Sequence, residues 1–411
     1  MAEKFYIKEL PNGLTLLGQK MENVSSTALT MMLPAGVAHE QEDHAGAATV
    51  ACEWMFRGAG AYDTRQLNDL LDSLGCQHNE SVTSEHLHFS AAQLGNNLPQ
   101  VLAIYRDVLL APRMEDATFD TCRQLAIQDL ASLEDEPAQK CNLLLRESFF
   151  PQPLGRNVYG RAETLERMTA ADVRRHIADN LTPKGAILAV AGDIDWDSFC
   201  DLAQRHFGSW TANPATPITP RPAKGGVTHI QKPTAQVHIS LAFPATPIDD
   251  PRYYAARLAE MVLSGGMSSR LFTEVREKLG LVYHVSMRYH SLKGHAGMFV
   301  YAGTTPQKAQ ETLEVVVREI RKLHQGVTAE EMARARTQLK SAMVMQGEST
   351  SARSGAIASD WYLLRRLRSL SELSAAVDAV QADEVVNYCN QFPPDNLTVL
   401  YIGPDALKVG S

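Results

Sequence analysis

The sequence predicts an α+β protein made of two similar halves, each a β-sheet layered with helices. Segments with strand and helix periodicity follow one another in the same order in both halves of the 411 residues, with strands grouped and helices long. The halves also echo each other at an offset of about 210 residues, a pattern typical of internal duplication. Residues 27–33, for example, match residues 237–243. Two related sandwiches therefore fit the chain better than one doubly wound parallel sheet.

Further segments support the repeat. The helix-like residues 98–109 match residues 313–323, and residues 117–130 match residues 331–343. Each half ends in an apolar strand, at residues 186–191 and 397–401. No glycine-rich phosphate-binding motif lies between a strand and a helix, so the pattern does not favour nucleotide binding.

A stretch rich in proline and glycine predicts the domain boundary. Four prolines and two adjacent glycines fall between Trp210 and Gly226. We predict an N-terminal domain at residues 1–208, a linker at residues 209–226 and a C-terminal domain at residues 227–411.

The amino-acid composition argues against several classes of protein. Hydrophobic residues make up 45% of the chain and charged residues 21%, the balance of a globular protein. The net charge of −8 offers no basic surface for nucleic acid, and no apolar run is long enough to span a membrane. The first residues lack the apolar core of a signal peptide. Six scattered cysteines are typical of reduced thiols, so we expect a cytoplasmic protein without nucleic-acid or membrane partners.

Several motifs resemble the pitrilysin or insulinase-type zinc peptidases, a family that includes mitochondrial processing peptidase and non-proteolytic relatives. The most specific are SGGMSSRLF at residues 264–272 and VREKLGLVY at residues 275–283, with further matches at residues 36–40 and 46–58. The resemblance covers nearly the whole chain. It implies two processing-peptidase-like (LuxS-like) sandwich halves that close like a clamshell around a chamber.

The family's metal motif, H-x-x-E-H, is missing from this chain. Two histidines four residues apart share one helix face and can bind one zinc ion, while the glutamate reaches the metal-bound water. Alignment on residues 56–58 places Thr49, Cys52 and Glu53 at the histidine, glutamate and histidine positions, and Asp129 near the third ligand. A one-residue shift would put Val50 and Trp54 at the histidine positions, where neither can ligate. We therefore predict that this chain binds no zinc and has no catalytic residue of its own. The sequence does not decide whether another metal binds near Glu53 and Asp129.

Arg276 and Tyr283 are the predicted substrate-binding residues. The resemblance implies that they are the family's arginine and tyrosine pair, which reaches the scissile peptide bound at zinc. Both are donors suited to a carbonyl oxygen that becomes negative during attack. The alternative is a surface ion pair of Arg276 with Glu274 or Glu277 and a half-buried aromatic at Tyr283. A third feature, residues 77–82, resembles the family's peptide-pairing edge strand, and its alternative is an ordinary internal strand.

These expectations combine into two hypotheses. In the first, the chain is an inactive subunit of a heteromeric zinc peptidase whose partner supplies H-x-x-E-H and the zinc, with unfolded peptide as substrate. In the second, it is a structural or peptide-binding protein of the same fold without a role in proteolysis. A homodimer could form in the absence of the partner. An autonomous peptidase with a relocated metal is the remaining alternative.

Overall fold

The computed structural model describes residues 3–211 and 217–409, so residues 212–216 of the predicted linker lie outside the described residues. The strands of the two large sheets and of one short hairpin are β1 (Lys4–Glu9), β2 (Thr15–Lys20), β3 (Ser26–Pro34), β4 (Gly58–Ala59), β5 (Tyr62–Asp63), β6 (Gln77–Val82), β7 (His86–Leu94), β8 (Ile187–Gly192), β9 (Val227–Gln231), β10 (Val237–Ala245), β11 (Val282–Leu292), β12 (His295–Thr304) and β13 (Thr398–Gly403).

Helices separate and cover these strands. The α-helices are α1 (Ala47–Met55), α2 (Thr64–Ser73), α3 (Leu98–Leu110), α4 (Asp116–Ser132), α5 (Pro137–Phe149), α6 (Ala162–Arg167), α7 (Ala170–Asn180), α8 (Trp196–Phe207), α9 (Tyr253–Ser264), α10 (Ala309–Lys322), α11 (Ala329–Gly347), α12 (Thr350–Leu364), α13 (Leu370–Ala379) and α14 (Ala382–Gln391). A π-helix spans Phe272–Lys278. Within the described residues, no helix is both long enough and apolar enough to cross a membrane.

The first compact unit is assembled from three stretches of chain: the residues up to Ser132, then Arg156–Arg221, then Gln346–Leu367. Its sheet has the order β1-β2-β8-β3-β7-β6, in which β2 and β8 are parallel and the other neighbours are antiparallel. The large core forms against α1, α3 and α8. Helix α12 covers the opposite face of β2, β3 and β8. Because helices cover both faces, β8 is buried along its whole length and reads as a continuous apolar run.

The second compact unit comprises Leu133–Gly155, Pro222–Met345 and the residues from Arg368 onward. Its sheet has the order β11-β12-β10-β13-β9, with β9 and β13 parallel. One face of this sheet carries the main core, which α9 and α10 help to close. Helix α5 packs on the other face, against β10 and β13.

The two sheets share one topology. If β1 is set aside, the order β2-β8-β3-β7-β6 corresponds strand by strand to β9-β13-β10-β12-β11, including the parallel pair at the same position. The predictions of an α+β fold and of two similar sandwiches are therefore confirmed.

We expected each domain to be one contiguous half of the sequence. Each compact unit instead includes one segment from the other half. Helix α5 lies in the first half of the sequence but belongs to the second unit, and α12 lies in the second half but belongs to the first unit. The boundary between Arg221 and Pro222 falls inside the stretch predicted as the linker. Neither helix carries a sequence signal for this exchange, because an apolar helix face does not specify which sheet it covers.

Candidate functional site

Helix α1 carries the positions aligned with the lost metal motif. The chain enters this helix through Gly46, whose φ of 102° lies in the left-handed region that favours glycine. The buried Glu40 side chain accepts hydrogen bonds from the backbone N–H groups of Gly46 (3.0 Å) and Ala48 (2.8 Å). These bonds satisfy two donors that the start of a helix leaves unpaired, so Glu40 fixes where α1 begins.

The aligned positions meet in one cleft of the first unit. This cleft has a volume of about 480 Å³ and is bordered by α1, β6 and α4. Thr49, Cys52 and Glu53 lie along its α1 wall, and Asp129 lies on α4. The structure thus brings together the four side chains that sequence alignment places at the family's metal site.

These side chains do not fit a zinc ion. The Thr49 hydroxyl donates to the carbonyl of Val158. Cys52 is only 6% exposed, and burial raises the pKa of its thiol. It stands at the position of the catalytic glutamate and not at that of a histidine ligand. Glu53 forms an ion pair with Arg57 one helical turn later. Among the residues that the structure describes, no group of three or more His, Cys, Asp or Glu side chains is arranged to hold a metal ion.

Sequence reasoning missed two residues of this cleft, Glu80 and Cys122. Glu80 hydrogen-bonds to Nδ1 of His78 at 2.8 Å, and this bond raises the pKa of the imidazole. Glu80 belongs to the segment that we singled out as an edge strand, so its neighbourhood had a signal. No sequence signal pointed to Cys122, since a single buried cysteine on a helix is common in protein cores.

Strand β6 is the outermost strand of the first sheet. It pairs with β7 on one side only, and its first three residues, Gln77 to Asn79, are exposed. The internal-strand alternative is therefore wrong in this structure. An unpaired edge offers backbone N–H and C=O groups to an extended peptide.

Arg276 lies in the π-helix of the second unit. It is exposed, and its guanidinium carbon lies 4.9 Å from the centre of the Phe272 ring. The expected alternative was an ion pair with Glu274 or Glu277. Glu274 instead pairs with Lys278 at 2.7 Å, and Arg276 forms no ion pair with Glu277 among the described residues. Among the described residues, the Arg276 guanidinium makes no hydrogen bond or ion pair, so its donors are available to a ligand.

Tyr283 occupies a β-bulge at the start of β11. Val282 pairs with Thr304 and His284 with Gly303, which leaves Tyr283 as the extra residue between them. Bulges of this kind redirect a side chain, and Tyr283 is 70% exposed instead of half-buried. Its hydroxyl has no hydrogen-bond partner within the described chain.

The described residues form two similar sandwiches, and helix α1 has no histidine at the positions aligned with H-x-x-E-H. Family models match two regions: "Insulinase (Peptidase family M16)" matches residues 16–162, and "Peptidase M16 inactive domain" matches residues 167–339. The chain belongs to this insulinase family. The resemblance inferred from the sequence motifs is confirmed.

Relatives match over nearly their whole length. An uncharacterized zinc protease from Rickettsia felis is 29% identical over 99% of this chain and 100% of its own. The uncharacterized zinc protease YmxG of Bacillus subtilis is 26% identical over 96% of this chain and 97% of its own. A crystal structure titled as a peptidase M16 inactive domain from Pseudomonas fluorescens has a TM-score of 0.90 at 19% identity, covering 99% of this chain and 100% of that one.

A second solved structure, of a protease from Helicobacter pylori, has a TM-score of 0.90 at 18% identity and covers 98% of this chain and 100% of that one. The chain thus shares the fold of these structures, and its sequence lacks the H-x-x-E-H motif. The relatives' names refer to zinc, but the donor set at Thr49, Cys52 and Glu53 does not fit it.

Proposed function

We propose that this chain is the catalytically incomplete subunit of a heteromeric zinc peptidase. Its partner carries H-x-x-E-H and the zinc ion, and this chain supplies Arg276, Tyr283 and part of the chamber wall. The substrate is an unfolded peptide. The observation that supports this proposal most is that Arg276 and Tyr283 are both exposed and have no hydrogen-bond partner in the described part of their own chain.

The chemistry of the pair suits the proposed role. A phenol O–H and a guanidinium can both donate to the scissile carbonyl oxygen as it acquires negative charge. The bulge at Tyr283 and the stacking of Arg276 on Phe272 hold the two groups away from competing partners. Such donors contribute to hydrolysis only when another group activates water, and the α1 side chains of this chain do not fit that role.

We place this subunit in the cytoplasm. All six cysteines are free, as expected where thiols stay reduced. Processing of unfolded peptides also suits the edge strand β6, because backbone pairing tolerates many side-chain sequences. Without the partner, the chain could form a homodimer.

The test is reconstitution with an H-x-x-E-H chain of the same family from the same organism. Cleavage of an unstructured fluorogenic peptide is measured for the wild-type mixture and for mixtures with Arg276→Ala or Tyr283→Phe. Removing one donor to a developing oxyanion costs roughly 100-fold or more in kcat, so each variant should lose activity on that scale.

Matched controls are Arg65→Ala and Tyr62→Phe. Arg65 has a side chain that is 91% exposed, and Tyr62 is 39% exposed, both in the first unit. These variants should leave turnover unchanged. Equal activity of the Arg276→Ala, Tyr283→Phe and control mixtures would refute the proposed role.

The second candidate function is peptide binding without proteolysis. It is favoured by the combination of an open edge strand with a cleft that has lost its metal donors. It predicts that peptide binds the chain alone and that the H-x-x-E-H chain gains no activity from mixing.

A further inference from the structure

One side chain on α5 reaches across the second sheet. The helix is anchored over β10 and β13, where Asn142 accepts a hydrogen bond from Ser240 at 2.8 Å. From this position Arg146 extends to β11, and its Nη1 lies 3.3 Å from Nδ1 of His290. The guanidinium and the imidazole therefore come from elements far apart in sequence but are held together by the packing of α5.

Aromatic rings surround this pair. The Arg146 guanidinium carbon lies 5.7 Å from the centre of the Phe150 ring, and the His290 ring meets Phe299 edge-on at 5.0 Å. Gly297, which pairs with His290 across the strands, leaves room for the ring of Phe149. A Cβ atom at Gly297 would lie 2.4 Å from that ring, so the close approach of α5 to the sheet depends on this glycine.

In the part of the chain that the structure describes, no carboxylate balances the charge of Arg146. A guanidinium only donates, so His290 accepts through Nδ1 and carries its proton on Nε2. Burial, together with Arg146 and Arg288, lowers the pKa of His290 to about 4, which keeps the imidazole neutral near pH 7. Within the described chain, neither Arg146 nor His290 forms an ion pair with a carboxylate. A largely buried cation without an anion is costly unless a ligand supplies one.

The unused donors are not sealed inside the core. Among the described residues, no nitrogen of Arg146 or His290 is both fully buried and without a hydrogen-bond partner. Arg288, two residues before His290 on the same face of β11, is exposed and adds a second guanidinium. Strand β11 is an outermost strand of its sheet, and such an edge can pair with an extended chain.

We propose that Arg146, Arg288 and His290 form a binding site for a carboxylate of an acidic peptide. Each planar guanidinium can bind a carboxylate in bidentate geometry, and the neutral imidazole N–H adds a further donor. The adjacent sheet edge favours a peptide over a free small anion, because it can hold the backbone while the site takes the side chain. This site requires neither the partner subunit nor Arg276 and Tyr283.

The test measures binding of fluorescein-labelled octapeptides to the full chain alone. One peptide alternates alanine with glutamate and is capped at both ends, and its counterpart has glutamine in place of glutamate. The glutamate peptide should bind at least tenfold more tightly, and Arg288→Ala and Arg146→Gln should each weaken it at least fivefold. An uncapped glutamine peptide tests whether a C-terminal carboxylate serves equally well.

The control variant is Arg334→Ala, an exposed arginine on α11 of the same unit. It should bind the glutamate peptide as the wild type does. Equal binding of glutamate and capped glutamine peptides would overturn the proposal, as would an equal loss in Arg334→Ala. Inorganic phosphate that binds in an Arg146-dependent way while both carboxylate peptides do not would also overturn it. Because Arg146 is partly buried, Arg288→Ala is the decisive variant if Arg146→Gln fails to fold.

Discussion

Glu53 stands at the position of the second histidine in the family's metal motif, and its carboxylate forms an ion pair with Arg57. The two residues are one helical turn apart, a spacing at which opposite charges attract on a helix surface. The neighbouring Cys52 is nearly buried and Thr49 is held by the carbonyl of Val158. Each of the three positions has thus acquired a structural partner or a place in the core. We therefore expect that introducing one histidine would not create a zinc site here.

Glu40 gives a prediction of how stability depends on pH. Burial raises the pKa of its carboxyl from 4.5 to about 8, against the opposing effects of two backbone N–H groups and the nearby Arg156. The folded chain therefore keeps a proton that the unfolded chain loses as pH rises from 4.5 toward 8. The stabilising contribution is complete below pH 4.5 and is lost with rising pH, with a slope of at most about 1.4 kcal/mol per pH unit.

Urea unfolding at several pH values between 4.5 and 8 measures this contribution. Glu40→Gln keeps an oxygen for the N–H groups of Gly46 and Ala48 but cannot ionise. The wild type should lose stability relative to Glu40→Gln as pH rises, whereas Glu22→Gln, at an exposed position, should run parallel to the wild type. Parallel curves for wild type and Glu40→Gln would contradict the assignment.

Part of the site at this scale could be read from the sequence. The positions of Thr49, Cys52 and Glu53 followed from the neighbouring motif, and the structure places them with Asp129 in one cleft. The Glu53 and Arg57 pair had a visible spacing signal. The contributions of Glu80 and Cys122 could not be predicted, because they depend on how β6 and α4 pack beside α1.

At the scale of elements, Arg276 and Tyr283 each lie in an irregular part of the backbone. The chain forms a π-helix at Phe272–Lys278 and a bulge at Tyr283, separated by Gly280 with φ of 58°. The sequence does not predict the π-helix or the bulge, since both arise from local hydrogen-bond register and not from hydrophobic periodicity.

A glycine inside helix α12 gives a prediction about the stability of the fold. Gly355 lies inside this helix, and the nearest atom to a Cβ placed there is 4.0 Å away. Gly355→Ala should raise the free energy of unfolding by about 0.5–1 kcal/mol, because alanine loses less backbone entropy and meets no clash. The shift of the urea midpoint at constant slope measures this gain.

Gly36→Ala is the matched substitution with the opposite expectation. A Cβ at Gly36 would lie 2.3 Å from the backbone nitrogen of His86, which cannot move without disturbing β7. This variant should be clearly less stable than the wild type. A stability loss in Gly355→Ala similar to that in Gly36→Ala would show that the packing of α12 differs from that described.

At the scale of the whole molecule, the chain is a duplication in which equivalent helices exchange units. Helices α5 and α12 follow α4 and α11 at corresponding points of the two repeats, and each joins the unit formed mainly by the other half. Duplication and fold class were predictable because periodicity survives when identity does not. The exchange was not predictable, since it depends on tertiary packing.

Because α5 and α12 each belong to the unit formed mainly by the other half, we predict that neither half of the sequence forms a stable fold on its own. A fragment of residues 1–221 lacks α12, whose Ile357 and Ala358 pack on the buried Met32 and Ile187. It should bind a hydrophobic dye and lose its cooperative thermal transition. Mixing with a fragment of residues 222–411 should restore the transition. A fragment 1–221 that melts cooperatively on its own, like the full chain, would contradict this prediction.

We propose that this chain holds no zinc and supplies only substrate-contacting groups to the chemistry. The most direct measurement is the zinc content of the purified full chain, determined by elemental mass spectrometry after equilibration with zinc and a chelator of known affinity. We expect far less than one zinc ion per chain, with the same zinc content in Glu53→Ala. One tightly held zinc ion per chain that disappears in Glu53→Ala would contradict it.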